Sequence, residues 1–238
     1  MSIVTYKKQT RINKRLLVRL TGSFLVLSGL VVSLYIFSPL LLWEIYIAPR
    51  TVSDALIKPV PDHAIVSQAR LANFLSSKVY AQDLDNASNW YPGSHQQANP
   101  TTSAFTIDIP KLDIKNAEVS TTDDDLTKHL VNFAGTCTPP AIGNCVIFGH
   151  STLPQLYNPN DYRTIFAHIL SLSVGDLIQV HIQNVTYTYK VFSLIVVEPD
   201  DTTVLNQATD ESMLTIITCV PPGTTWKRLV IKSRLQTL

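Results

Sequence analysis

Met213-Leu214-Thr215-Ile216-Ile217-Thr218-Cys219-Val220-Pro221-Pro222-Gly223, followed after a few residues by Arg228-Leu229-Val230-Ile231-Lys232-Ser233, decides how this chain reads. The apolar, largely β-branched run to Thr218 has the composition that a pleated, buried surface selects. Val220-Pro221-Pro222-Gly223 must leave the ladder, because proline donates no backbone hydrogen bond. The Cys219 thiol is therefore expected at the end of a strand, and Leu229 to Ser233 reads as the next strand. If the proline-rich loop joins the two, Cys219 and Arg228, nine residues on, share one rim. Strand ends are where a rigid scaffold presents chemistry to solvent.

Upstream, Cys145-Val146-Ile147-Phe148 is a compact apolar run ending at Gly149-His150-Ser151. It repeats the same form, a buried strand, a small residue and then an imidazole at the rim. His63, His95, His129, His168 and His181 do not follow a buried strand in this way. Phe105, Ile107 and Ile109 alternate with polar residues before Pro110, as in a half-buried strand. Ile114 to Val119, Leu177 to Ile182 and Tyr187 to Val197 read as further strands, the last two joined by a turn at Asn184. Tyr162 to Leu170 reads as helical. Asp123 to Leu130 reads as a short helix with acids at its N-terminus, where the helix dipole favours them. The triple aspartate lacks the glycine and final glutamate of a calcium loop. Seven or eight strands in about 135 residues suggest a closed or nearly closed barrel, which removes exposed strand edges. A β-sandwich is the alternative.

The formal net charge is +1, but residues 1–19 hold Lys7, Lys8, Arg11, Lys14, Arg15 and Arg19 and no acid. That leaves 13 basic against 18 acidic residues, a net of −5 over 20–238. An acidic body argues against nucleic-acid binding, which neutralises phosphates with basic surface. Leu20 to Trp43 is a run of 24 residues without charge. Crossing a bilayer takes roughly 20 apolar residues. With a basic flank before it and no small-residue cleavage site after it, the run reads as an uncleaved anchor, N-terminus in the cytoplasm and the remainder outside.

Beyond the anchor, residues 44–103 read as an extracytoplasmic linker. Ile65, Ala69, Ala72, Leu75 and Val79 recur at helical steps, compatible with a helix over 63–80. The stretch 83–102 is rich in Asn, Gln, Ser and Pro. Trp90 and Tyr91 are out of place in a free linker and suggest docking on the domain that follows. Cys137, Cys145 and Cys219 are the only cysteines. An odd count leaves at least one thiol without an intramolecular partner. Cys137 and Cys145 flank Pro139-Pro140 and Gly143, a loop able to fold back, so a disulfide between them is predicted and Cys219 is left free. Cysteine arithmetic alone does not separate a reactive thiol from a buried, inert one.

Thr218-Cys219 at a strand end, Arg228 on the next strand and an upstream strand ending in Gly149-His150 together resemble the sortase family. Ile217 stands two before Cys219, and of the family's signature only Thr218-Cys219 is matched strictly. The resemblance also takes in Ile107-Asp108-Ile109-Pro110, Gly135-Thr136 and Gly143-Asn144, and spans about residues 104–235. It implies a mainly β fold: a closed eight-stranded barrel with a few short helices, over 104–238, preceded by one transmembrane helix. It implies cleavage of a C-terminal sorting signal like Leu-Pro-x-Thr-Gly in exported proteins, a thioester on Cys219, and transfer to an amine of a cell-wall precursor or a pilin lysine. Cys219 would be the nucleophile, His150 its acid/base and Arg228 the oxyanion stabiliser, without metal or organic cofactor. A cysteine peptidase ending in hydrolysis and a non-catalytic anchored binding domain are the competing readings.

Overall fold

A computed structural model describes residues 14–42, 45, 84–91, 104–207 and 210–236. The segment expected to be helical over 63–80 and most of the basic tail lie outside the described residues.

Helix α1 (Lys14–Leu42) carries the uncharged run. Its most apolar part, Val18–Ser38, has 21 residues, a mean hydropathy of 2.0 and no buried face. At 1.5 Å per residue this is about 31 Å, the thickness of a bilayer's hydrocarbon core. It is the one helix among the described residues long and apolar enough to cross a membrane.

The remainder is a closed barrel of eight strands: β1 (Ala104–Ile109), β2 (Ile114–Ser120), β3 (Leu130–Asn132), β4 (Gly143–Phe148), β5 (Leu177–Ile182), β6 (Val185–Val197), β7 (Ser212–Val220) and β8 (Lys227–Leu235). Around the barrel they run β1-β2-β3-β4-β7-β8-β6-β5 and return to β1. The alternation read in β1 buries Phe105, Ile107 and Ile109 inside. Pro110 then turns the chain through a 3-10 turn, and Asp113, at φ 54°, completes the reversal into β2. Strands β5 and β6 form a hairpin through Gln183, also at positive φ.

Two local expectations fail. Asp123 to Leu130 forms turns, not a helix. The Asp123 and Asp125 carboxylates accept from backbone N–H groups two residues on, at 3.2 and 3.0 Å, which offers the backbone a turn in place of a helix. Leu130 is meanwhile drawn into β3, parallel to β2. Tyr162 to Leu170 yields only short 3-10 turns, at Tyr162–Thr164 and Ile169–Ser171.

The largest apolar cluster fills the barrel. A second lies on the outside of β3, β4, β7 and β8, where Val131, Val146, Phe148, Ile217, Cys219 and Val230 pack under Ala87, Trp90 and Tyr91. All six residues of β4 are buried, because one face points into the barrel and the other is covered by the upstream segment and by the stretch from Val204 to Gln207. The docking expected of Trp90 and Tyr91 is thus present, and it fixes where the candidate site lies.

Candidate active site

Three adjacent strands bring the candidate residues together. Strand β4 runs parallel to β7 in the register Phe148↔Ile217. Two residues further along each chain stand His150 and Cys219. Strand β8 runs antiparallel to β7 and sets Cys219 opposite Arg228. Side chains opposite each other in a ladder share one face. The guanidinium lies with Nη1 3.4 Å from Cys219 Sγ.

The backbone around this meeting point is tightly specified. Thr218 Oγ1 donates to Gly149 O at 2.7 Å, and Ser151 Oγ donates to Cys219 O. A Cβ on Gly149 would come within 2.4 Å of Phe166 Cε2 and 2.5 Å of Leu130 Cδ2. Only glycine lets the chain pass between those side chains on its way to His150. Arg228 Nη1 also donates to Thr225 O at 3.2 Å, and its Nε is buried without a protein acceptor. Lys227, on the opposite face, pairs instead with Glu198.

Sequence reasoning placed Trp90 against the domain but did not foresee what it touches. The Trp90 ring stacks on Phe148 with centroids 5.2 Å apart, sits 6.1 Å from the His150 ring and takes the Arg228 guanidinium at 4.8 Å from its centroid. Its Nε1 donates to Leu84 O at 2.9 Å. Asp85 was not foreseen at all. Its Oδ1 lies 3.1 Å from His150 Nε2, where a carboxylate favours the imidazolium. Asp85 also reaches Arg163 at 3.8 Å. The segment hangs on the aspartate loop: Asn86 bridges Asp125, Ala87 N donates to Asp124 O at 2.8 Å, and Leu126 N donates to Asp85 O at 2.7 Å. With this cover in place Cys219 is only 5% exposed.

Burial sets the ionisation. It pushes the Cys219 thiol above its usual range, opposed by the charge and hydrogen bond of Arg228. It pushes the His150 imidazole below its ordinary value, opposed by Asp85. Both effects favour the neutral form, since taking a charge out of water is costly. Tyr91, beside them, is pushed up to about 12, again by burial.

The predicted disulfide is formed between Cys137 and Cys145, and Cys219 is the free cysteine. Among the described residues no group of three or more His, Cys, Asp or Glu could hold a metal ion. Asp123 instead faces His129 at 3.1 Å and Asp125 faces Lys128 at 2.7 Å.

The Sortase domain profile matches residues 107–236, more than half of the chain. The chain belongs to the sortase family. Among curated proteins, it is 26% identical over 135 residues to Sortase D of Bacillus subtilis strain 168, a match that spans 55% of this chain and 63% of that relative's length. Among solved structures, it is similar to a Sortase D5 transpeptidase of Clostridium perfringens, at 30% identity over 60% of this chain and 83% of that one, TM-score 0.48. Sortase C-1 of Actinomyces oris is 26% identical, covering 57% of this chain and 74% of its own, also with a TM-score of 0.48.

Proposed function

We propose that this sortase is a membrane-anchored cysteine transpeptidase. It cuts a C-terminal sorting signal of the Leu-Pro-x-Thr-Gly kind in exported proteins and passes the acyl group to an amine of a cell-wall precursor or a pilin lysine. The observation that carries this reading is the cross-strand pair of Cys219 and Arg228, with Sγ 3.4 Å from the guanidinium and His150 ending the neighbouring parallel strand.

The segment 84–91 first leaves the site, since with it in place Cys219 is only 5% exposed. Its departure rehydrates Cys219 and His150. The thiol then falls, and the imidazole rises because relief from burial, the larger influence, outweighs the loss of Asp85, which leaves with the segment; the pair moves toward a thiolate beside an imidazolium. The thiolate attacks the threonine carbonyl carbon. Negative charge builds on the carbonyl oxygen, and the Arg228 guanidinium stabilises it from a fixed position. The C–N bond breaks, and the leaving amine takes the proton from His150. An incoming amine gives a proton back to His150 as it attacks the thioester, and Cys219 departs as thiolate.

The basic residues ahead of the uncharged run support a reading with the N-terminus in the cytoplasm and the barrel outside. The Cys137–Cys145 disulfide supports that orientation, because such bonds persist in oxidising compartments and are rare in the cytosol.

The test is to incubate the purified chain with a library of sorting peptides and a glycine-based amine, then identify the joined products. Joined peptide whose yield rises with amine concentration is the expected result. Cleavage that ignores the amine would make the protein a hydrolase, and an inert Cys219 with no cleavage would make it a binding domain. For orientation, protease added outside intact cells should reach the barrel and spare residues 1–19.

A further inference from the structure

A second cleft, of about 470 Å³, opens between the start of β2 and the connection from β4 to β5. One wall is Asp113 to Ala117, and the other is built from Tyr157, Asn160, Tyr162 and Ile165. Its size is that of a small-molecule site. Ile114 and Ala117 belong to the barrel core and Ile165 packs against it, so the bottom of the cleft is apolar. Asp113 and Lys115 are the two charged residues of the lining, and they pair with each other at 2.6 Å. The cleft therefore carries no net charge and offers little to a phosphate or an ammonium group.

Both walls are held in place. Tyr162 Oη accepts from Glu118 N at 2.9 Å, which ties the connection to β2. That bond also takes a backbone donor that an added peptide strand would need. The Tyr157 ring packs edge-on against His168, with centroids 5.0 Å apart. Asn160 N donates to Asn158 Oδ1 at 3.0 Å. Asn116 stands at φ 51°, and its N–H donates to Asp108 Oδ1 at 2.6 Å. Glycine would adopt that conformation without steric cost, and asparagine adopts it while adding a carboxamide. Among the described residues, the carboxamides of Asn116 and Asn160 and the hydroxyl of Tyr157 make no hydrogen bond. Each carboxamide can donate through its nitrogen and accept through its oxygen. Two tyrosine rings and an apolar floor, edged by uncharged groups with free donors and acceptors, suit a ligand with C–H faces and hydroxyl edges. A sugar ring has both.

We propose that this cleft binds a neutral saccharide chain, with one ring against Tyr157 and Tyr162 and its hydroxyl or acetamido groups held by Asn116 and Asn160. The binding stands apart from the transpeptidase reading, since the lining includes none of Cys219, His150 and Arg228.

The experiment uses the full chain in a detergent without sugar headgroups and follows binding of a tetramer of N-acetylglucosamine by isothermal titration calorimetry. Wild type should bind saturably. Tyr157→Ala should weaken binding roughly 10-fold through loss of its ring. Asn160→Ala, and Asn116→Gly, which keeps the backbone conformation, should each weaken it roughly 3- to 10-fold, the worth of one hydrogen bond. Trp226→Ala removes an exposed aromatic outside the cleft and should bind like wild type. Thermal melting should show every variant folded. Absence of saturable binding by wild type would overturn the proposal, and so would equal affinity in wild type, Tyr157→Ala and Asn160→Ala. Loss of binding in Trp226→Ala alone would place the sugar elsewhere and overturn it too. An uncharged hexapeptide that displaces the sugar would make the cleft a peptide site and overturn the saccharide assignment.

Discussion

The two sides of the barrel are built differently. On the side of β5 and β6, buried and exposed residues are interleaved, and Leu177, Val185 and Ile195 face solvent. On the side of β4, β7 and β8, burial runs without a break through Gly143–Phe148 and Leu214–Val220. The first pattern belongs to a sheet with one wet face, the second to a sheet covered on both. The difference lies in what covers the sheet: Ala87, Trp90 and Tyr91 from the chain before β1, with Leu126, Phe133 and Val204 from the loops, lie on the second side and leave the first open. A continuous apolar strand in a small barrel thus marks where something lies on top of it, and here it is the surface that carries the thiol.

The largest expected effects lie on the covered side. Cys219→Ala should abolish thioester formation and all transfer, measured by mass spectrometry of enzyme mixed with peptide; residual thioester would place the nucleophile elsewhere. Arg228→Lys should lower kcat/KM by roughly 100-fold, the scale of losing one oxyanion donor, because lysine cannot reproduce the planar fork of guanidinium donors. Lys227→Ala, one residue away on the opposite face, should stay within about twofold of wild type. Reversed results for that pair would mean that the wrong face of β8 has been assigned to the thiol.

The cover itself is tested by Trp90→Ala. Losing its stacking and its cation–π contact, together about 1–2 kcal/mol, should raise the alkylation rate of Cys219 roughly 10-fold. Val185→Ala, on the open side, should leave it unchanged. Equal rates in all three proteins would mean that the segment does not guard the thiol. Gly149→Ala should lower the melting temperature by several degrees, since forcing a methyl against Phe166 and Leu130 costs about 1–3 kcal/mol. A melting curve identical to wild type would show that the crossing is looser than its contacts imply.

The smallest effect is electrostatic. His150 has its midpoint lowered from 6.5 by burial. Between 6.5 and that lowered midpoint the unfolded chain binds a proton that the folded chain refuses. The group's contribution to stability is therefore complete above 6.5 and declines as pH falls through this window. Trp90→Ala should move the midpoint up, toward 6.5, and Asp85→Asn should move it down by removing the carboxylate that favours the imidazolium. NMR titration of the His150 ring reads both, and two shifts of the same sign would break the account.

Much of the barrel was legible because its signals are local. Alternation in β1, the β-branched hairpin of β5 and β6, and the apolar runs into His150 and Cys219 each declare themselves within a few residues. Strand β3, with three residues, is too short to show a period. The aspartate run was misread because acids suit a helix start and a turn alike, and the choice was made by pairing between Asn86 and Asp125. The strand ends showed which residues belong at the rim, and the shared rim of Cys219 and Arg228 followed from one loop. Asp85 gave no sign, since its approach to His150 depends on how a distant segment packs. Trp90 did give one, as an aromatic stranded among asparagines and serines.

Twelve residues, 92–103, separate the covering segment from the first strand of the barrel. Even fully extended, the chain from Tyr91 to Ala104 reaches no further than about 45 Å. A segment that lets go of the site therefore stays within a small volume around it, at an effective concentration on the order of millimolar. On the transpeptidase reading, a dilute sorting peptide would compete against that concentration at every turnover. A substrate held on the same membrane would itself be concentrated near the site and would meet the enzyme on more equal terms. The covalent link would then make the cover a threshold, crossed by how densely substrate is supplied together with how tightly it binds.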